Sequence, residues 1–196
     1  MFRGKIFYLI VVGILGSLIF SVVLFQRALK VESLPVYGQV NSFQLLDTQG
    51  REFRLNNLKG KVWLVDFIFT TCGGICPVMT KNMAALYRSF LPIDSVEMVS
   101  VSVNPENDSP DILARFARKY HADTTKWHFL TGARDEIKRL AVESFKVGSL
   151  EEPIFHSDRF VLVDREGRIR GYYDGTQQKS IDTLFKDIAA LIKERK

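Results

Sequence analysis

Val62-Trp63-Leu64-Val65-Asp66-Phe67-Ile68-Phe69-Thr70-Thr71-Cys72-Gly73-Gly74-Ile75-Cys76-Pro77 is the stretch on which the reading of this chain turns. Residues 62–69 are apolar at every position but Asp66. A strand covered on both faces reads this way, so the run is expected to be central and parallel. Pro77 fits the first turn of a helix, where its missing N–H costs nothing. Val78, Met79, Met83, Leu86 and Phe90 then form one helical face. The two cysteines of the chain therefore stand four apart at a strand-to-helix junction. Two soft sulfurs in that position suggest a metal site or a redox pair.

Outward from this stretch the pattern is regular. On the N-terminal side, Phe43, Leu45 and Phe53 alternate about a turn at Asp47-Thr48-Gln49-Gly50, which predicts a β-hairpin over Val40–Arg54. Asn56 to Gly60 is a second turn. On the C-terminal side come a strand over Val96–Val103 and a helix capped by Ser109 and begun by Pro110, with Ile112, Leu113, Phe116, Ala117 and Tyr120 on one face. A short strand over Trp127–Leu130, a helix over Ala133–Phe145 and a hairpin of Phe160–Asp164 with Ile169–Tyr173 about Arg165-Glu166-Gly167 follow. Ile181, Leu184, Phe185, Ile188 and Ile192 mark the last helix, and residues 193–196 read as a solvated tail. Helices alternating with strands imply an α/β fold, a mixed sheet covered on both faces. A cysteine pair after the first central strand, with a closing hairpin and helix, is the thioredoxin-like arrangement, here with an extra N-terminal hairpin and an inserted βα unit.

The N-terminal segment differs in character. Ile6 to Phe25 is twenty residues without a charge. At about 1.5 Å per residue this spans about 30 Å, the hydrocarbon thickness of a bilayer. The run is long for a signal peptide and ends in Leu24-Phe25-Gln26-Arg27, a poor cleavage site, so an uncleaved anchor is expected. No cysteine lies nearby to accept a lipid. Gly13, Ser17 and Ser21 recur every four residues, a spacing of small residues that an apolar helix also produces by chance. The expected organisation is an anchor over residues 1–30, a tether over 31–37 and a domain over 38–196, exported to the outer face of a bacterial inner membrane. The formal charge is +5, from 27 Lys and Arg against 22 Asp and Glu. Four of those cations (Arg3, Lys5, Arg27 and Lys30) lie in residues 1–30 with no acid. The remainder is near neutral, which argues against a nucleic-acid partner.

For the cysteines, a structural disulfide closes too small a loop to contribute much entropy. Gly73 and Gly74 are poor structural filler and would let the loop bend until both sulfurs face one point. The helix dipole favours a thiolate at Cys76. Cu(I) and Zn(II) both accept sulfur ligands, and a third ligand must come from elsewhere. Of the three histidines, His121 ends a helix and His128 lies within a strand, where each has an ordinary explanation. His156 stands just before the Phe160 strand. In a thioredoxin-type arrangement that connection faces the cysteine loop, and His156 can reach the sulfurs.

These residues resemble the SCO/SenC family of copper-binding assembly proteins. The resemblance rests on Lys61-Val62-Trp63, on Asp66 to Cys72 with Ile75-Cys76-Pro77, on Ser102 to Pro110, and on Phe155-His156-Ser157 followed by Phe160 to Asp164 and Gly167. It covers about residues 38–192. It implies copper held by Cys72, Cys76 and His156, and delivery to, or thiol maintenance at, the binuclear copper site of cytochrome c oxidase subunit II. Other copper chaperones or thiol reductases would be further partners. Gly73-Gly74 departs from the Pro-Asp or similar pair of many members. Asp66 is similar to the buried aspartate of thioredoxin, or is a carboxylate tolerated at a strand end. A thiol–disulfide oxidoreductase using Cys72 and Cys76 alone stays open, although thioredoxins separate their cysteines by two residues rather than three. A peroxiredoxin motif would need Pro and Thr at the positions of Val65 and Phe69.

Overall fold

The computed structural model describes residues 33–148 and 157–194, together with Gly13, Gly16, Ser17, Phe20 and Ser21. The chain divides into two compact units, Met1–Ser33 and Leu34–Lys196. Apart from those five helical positions, the expected span over Ile6–Phe25 lies outside the described residues, as does His156. Among the described residues no helix is long and apolar enough to cross a membrane.

The second unit is an α/β fold with a central mixed sheet. Its strands are β1 (Gly38–Gln39), β4 (Val62–Ile68), β5 (Val96–Ser102), β6 (Trp127–Leu130), β7 (Arg159–Val163) and β8 (Arg168–Asp174), in the order β1-β8-β7-β4-β5-β6. A separate hairpin joins β2 (Gln44–Leu46) to β3 (Glu52–Arg54). The helices are α1 (Cys76–Phe90), α2 (Pro110–Lys119), α3 (Arg134–Arg139) and α4 (Gln178–Lys193).

Every residue of β4 is buried, as the unbroken apolar run requires. β4 pairs parallel with β5, from Val62 opposite Val96 to Ile68 opposite Ser102, and antiparallel with β7, with Val65 opposite Val161. It is central, but parallel on one side only. Its side chains alternate between two cores. Val62, Leu64 and Ile68 join Met79, Met83, Leu113, Leu184 and Ile188 under α1, α2 and α4. Trp63, Val65 and Phe67 join Phe43, Leu45, Phe53, Ile137 and Phe145 under the hairpin and α3. Each such side chain contributes about 1.5–3 kcal/mol by leaving water.

Four local expectations are corrected. Val78 is exposed, because the buried face of α1 runs through Cys76, Met79, Thr80, Met83 and Tyr87, and Val78 falls off it. Phe185 is also largely exposed on α4, its ring resting 4.9 Å from that of Phe90. The helix expected over Ala133–Phe145 gives way at Leu140–Ser144 to a π-helical turn, closed by the Phe145 N–H on the Leu140 carbonyl at 3.1 Å. That turn leaves Phe145 edge-on to Trp63 and Phe67. Finally, Glu194 is no solvated tail residue: its carboxylate pairs with Arg170 at 3.0 Å.

Arg170, on β8, is almost wholly buried and ties both ends of the unit together. Its guanidinium donates to Asp164 at 2.8 Å, to Glu194, and to the carbonyls of Leu34 and Pro35. Leu34 and Tyr37 thus hold to the sheet, the latter through its N–H on the Ile169 carbonyl. Burial would raise the Asp164 carboxyl, but the Arg168 N–H and the guanidiniums of Arg170 and Arg168 hold it below the usual carboxylate range. A folded-state value below the unfolded one stabilises above the unfolded pKa, and that contribution is lost as pH falls through the folded value. Arg170→Ala is therefore expected to cost about 3 kcal/mol at pH 7 in urea denaturation of a fragment starting at or before Ser33. The deficit should shrink as pH falls below the usual carboxylate range, through the depressed value at which folded Asp164 takes up its proton.

Candidate functional site

The site is built where β4 ends. Thr70 to Ile75 form the loop and Cys76 opens α1. The Cys72 N–H turns back onto the Phe69 carbonyl at 3.2 Å, and the Val78 and Met79 N–H groups close the first helical turn on the Ile75 carbonyl. Pro77 lies in that first turn, as its chemistry demands. Both cysteines are free thiols, Cys72 partly exposed and Cys76 buried.

The two sulfurs differ electrically. Partial burial would raise the Cys72 thiol. The Cys76 thiol and the N–H groups of Cys76, Gly74 and Ile75 donate to its sulfur, and together they bring it below the usual thiol value. The Cys76 thiol is pushed up to about 12 by burial first, then by its hydrogen bond to Cys72 and by the charges of Cys72 and Asp66. The corner thus holds a partly exposed thiol that loses its proton more easily than an ordinary one, beside a buried thiol that holds its proton more tightly.

Asp66 projects from the middle of β4, not from a strand end, and is fully buried. Its Oδ1 accepts from Ser100 Oγ at 2.6 Å, and that hydroxyl accepts from Trp127 Nε1 at 2.9 Å. Its Oδ2 has no partner among the described residues. Burial pushes its carboxyl up to about 7 against the pull of the Ser100 hydrogen bond. Sequence reasoning placed Asp108 only in a loop before a helix. The structure makes it a partner of Thr70, inside the cysteine loop.

The histidines with ordinary explanations have them. His121 is exposed just past α2 with φ of 55°. His128 Nε2 is 2.7 Å from Glu97 Oε2, and its ring lies 4.6 Å from that of Phe53. Among the described residues no three His, Cys, Asp or Glu side chains gather into a metal-holding group. Cys72 lies on the loop and Cys76 opens the helix that follows it; His156 lies outside the described residues. A groove of about 880 Å³ opens beside Ile75 of the cysteine loop, lined also by Tyr37, Lys146, Arg159, Tyr172 and Thr176.

Neither Gly73 nor Gly74 adopts a positive φ. A Cβ at Gly73 would meet open space, and one at Gly74 only Cys72 Sγ at 3.9 Å, an ordinary contact. The loop brings its sulfurs together without needing glycine at either position, contrary to the expectation from their flexibility. Gly73→Ala is expected to stabilise the fold by about 0.4–1 kcal/mol through the unfolded chain, with the thiols' reactivity unchanged, as read by urea denaturation and thiol titration. In the reduced protein, iodoacetamide at pH 8 should modify Cys72 well before Cys76, as mass mapping of the alkylated peptides would show.

The match to the SCO1/SenC family model spans residues 35–193. The SCO1 protein homolog of Bacillus subtilis (strain 168) is 36% identical over 160 residues, covering 79% of this chain and 83% of that protein. The solved structure of BsSco, a member of the Sco family of cytochrome c oxidase assembly proteins in which a disulfide switch was identified, is 33% identical. It superposes with a TM-score of 0.72 over 84% of this chain and 100% of that one. Bradyrhizobium japonicum ScoI, solved with copper bound, shares the fold at 22% identity and a TM-score of 0.64, over 79% of this chain and 99% of that one. The chain belongs to the SCO1/SenC family.

Proposed function

We propose that this protein is a membrane-anchored copper chaperone that helps assemble the binuclear copper centre of cytochrome c oxidase subunit II. Copper is its cargo, held by Cys72, Cys76 and His156. The observation that carries the reading is the placement of two soft sulfurs four residues apart at the strand-to-helix corner, Cys72 partly exposed on the loop and Cys76 buried at the start of α1. Family membership supports it, and so does the sheet. β7 runs antiparallel to β4, so its first residue, Arg159, lies at the edge where β4 ends. Ser157 and Asp158, which precede β7, line one groove with Ile75 of the cysteine loop, and His156 is the next residue back in sequence.

Loading requires both thiols to lose their protons. Cys72, with the lower pKa, gives the first sulfur, and the metal displaces the proton of Cys76. Two thiolates and one imidazole would suit trigonal Cu(I) and would leave room for a sulfur of the receiving protein, which metal transfer needs. The domain is read as thioredoxin-like over residues 38–196, behind a tether over 31–37. A single transmembrane helix within residues 1–30 would hold it at the outer face of a bacterial inner membrane. Other copper chaperones or thiol reductases would supply the metal or electrons.

A second reading is favoured by one observation, a partly exposed free thiol at Cys72 beside a buried free thiol at Cys76. As a thiol–disulfide oxidoreductase, Cys72 thiolate attacks a disulfide of the target and expels one target thiolate. Cys76 then loses its proton and attacks the Cys72 sulfur, releasing the second. The target gains two electrons and two protons, and this chain keeps a Cys72–Cys76 disulfide.

Anaerobic Cu(I) titration of the full chain against a competing chelator is expected to show one copper per chain. Cys72→Ser, Cys76→Ser and His156→Ala should each weaken it by more than about tenfold, since losing even a hydrogen-bond partner of a ligand costs about that much. Unchanged affinity in His156→Ala would remove the third ligand from the account. In cells lacking the protein, added copper should restore oxidase activity; failure to do so would favour the redox reading.

A further inference from the structure

Asp108 has no place in the copper or disulfide chemistry above, yet it is fully buried and its carboxylate reaches into the cysteine loop. Its Oδ2 accepts the Thr70 backbone N–H at 3.0 Å and Ser102 Oγ at 2.6 Å, and its Oδ1 accepts Thr70 Oγ at 2.5 Å. We infer that Asp108 is a positioning residue for Cys72, acting through Thr70.

Three features carry this. First, both donors of Thr70, two residues before Cys72, end on one carboxylate, 38 residues away in sequence. Second, the carboxylate is itself held. The Asp108 N–H donates to the Asn104 carbonyl at 2.9 Å, Ser102 Oγ also accepts the Asn104 N–H at 3.1 Å, and Asn107 Nδ2 bonds Asn104 Oδ1 at 3.0 Å. Third, Ser102 is the last residue of β5 and stands opposite Ile68, the last of β4. The clamp therefore joins the two parallel strands where they end. It fixes the main chain that turns at Phe69–Cys72, where the Cys72 N–H meets the Phe69 carbonyl. An acceptor with no proton of its own is the group that takes all three donors at once, and a buried carboxylate is tolerated only when so satisfied.

A purely structural role for Asp108, as the brace of its own loop, would lower stability and leave the thiols of the folded protein unchanged. A positioning role moves the thiols themselves. The test uses the full chain with Asp108→Ala, Asp108→Asn and Thr70→Val, each shown to be folded by near-ultraviolet circular dichroism. Two quantities are read: Cu(I) affinity against a chelator, and the Cys72–Cys76 thiol–disulfide equilibrium in a dithiothreitol buffer without metal. The first readout rests on the copper reading; the second does not.

Asp108→Ala is expected to change both by about tenfold or more, the scale of one charge-assisted hydrogen bond. Thr70→Val, which keeps the backbone bond and loses the hydroxyl, should move both in the same direction by a smaller factor. Asp108→Asn can still accept from the Thr70 N–H and Ser102 and donate its amide to Thr70 Oγ, so it should return both to within about threefold of the parent. A shifted disulfide equilibrium in a protein that binds no copper would uphold the positioning role and remove the copper reading. Should Asp108→Ala fail to fold, Thr70→Val decides. Folded variants that match the parent in both readouts would overturn the inference.

Discussion

Everything at the candidate site hangs on the way β4 is held. Seven consecutive residues are buried, alternately into two separate cores, and paired with β5 on one side and β7 on the other. A one-residue slip would turn Trp63 and Phe67 into the α1 core and Leu64 and Ile68 out of it, so the register is fixed by packing. Once it is fixed, the end of β4, the end of β5 and the start of β7 share one edge of the sheet. Three pieces of chain then come to that edge: the cysteine loop, the Asn104–Ser109 loop and Ser157–Asp158 before β7. The chemistry is a consequence of that convergence.

The corner is also an arrangement of charge. Backbone and thiol donors hold the Cys72 thiol below its usual value; Cys76, four residues on, is buried and its thiol is pushed up. Asp66 contributes to that difference from the sheet below, where its Oδ2 has no partner among the described residues. A metal that displaces protons and a disulfide that transfers electrons both use an exposed thiolate beside a protected thiol. The two functional readings therefore share a site rather than compete for different ones. What separates them is the third ligand, since disulfide exchange has no use for His156.

Much of this was legible before the structure. The apolar run, the cysteine junction, Pro77, the Ser109-Pro110 cap and the two hairpins each carry a local signal, and each forms where that signal puts it. The parts that escaped depend on partners far along the chain. β1 is two residues long and exists only through Ile169 and Arg168. Glu194 reads as tail until Arg170 is found beneath it. The π-helical turn keeps the apolar spacing of an ordinary helix, so Phe145's final position could not be read from periodicity. At the site, the sulfurs and the interest of Asp66 were visible from spacing and context. Asp108 was not, because a carboxylate in a polar loop looks solvated until its donors are known. Gly73 and Gly74 taught the reverse lesson: glycine in a loop suggested a bend that the backbone does not use.

The central claim is that the two sulfurs of this corner, with an imidazole from the chain approaching β7, form one copper site. X-ray absorption of the Cu(I)-loaded full chain tests it most directly. The account predicts two sulfur and one nitrogen neighbours per copper, with one sulfur lost in Cys72→Ser. A shell of nitrogen and oxygen alone, or a shell unchanged by Cys72→Ser, would contradict it.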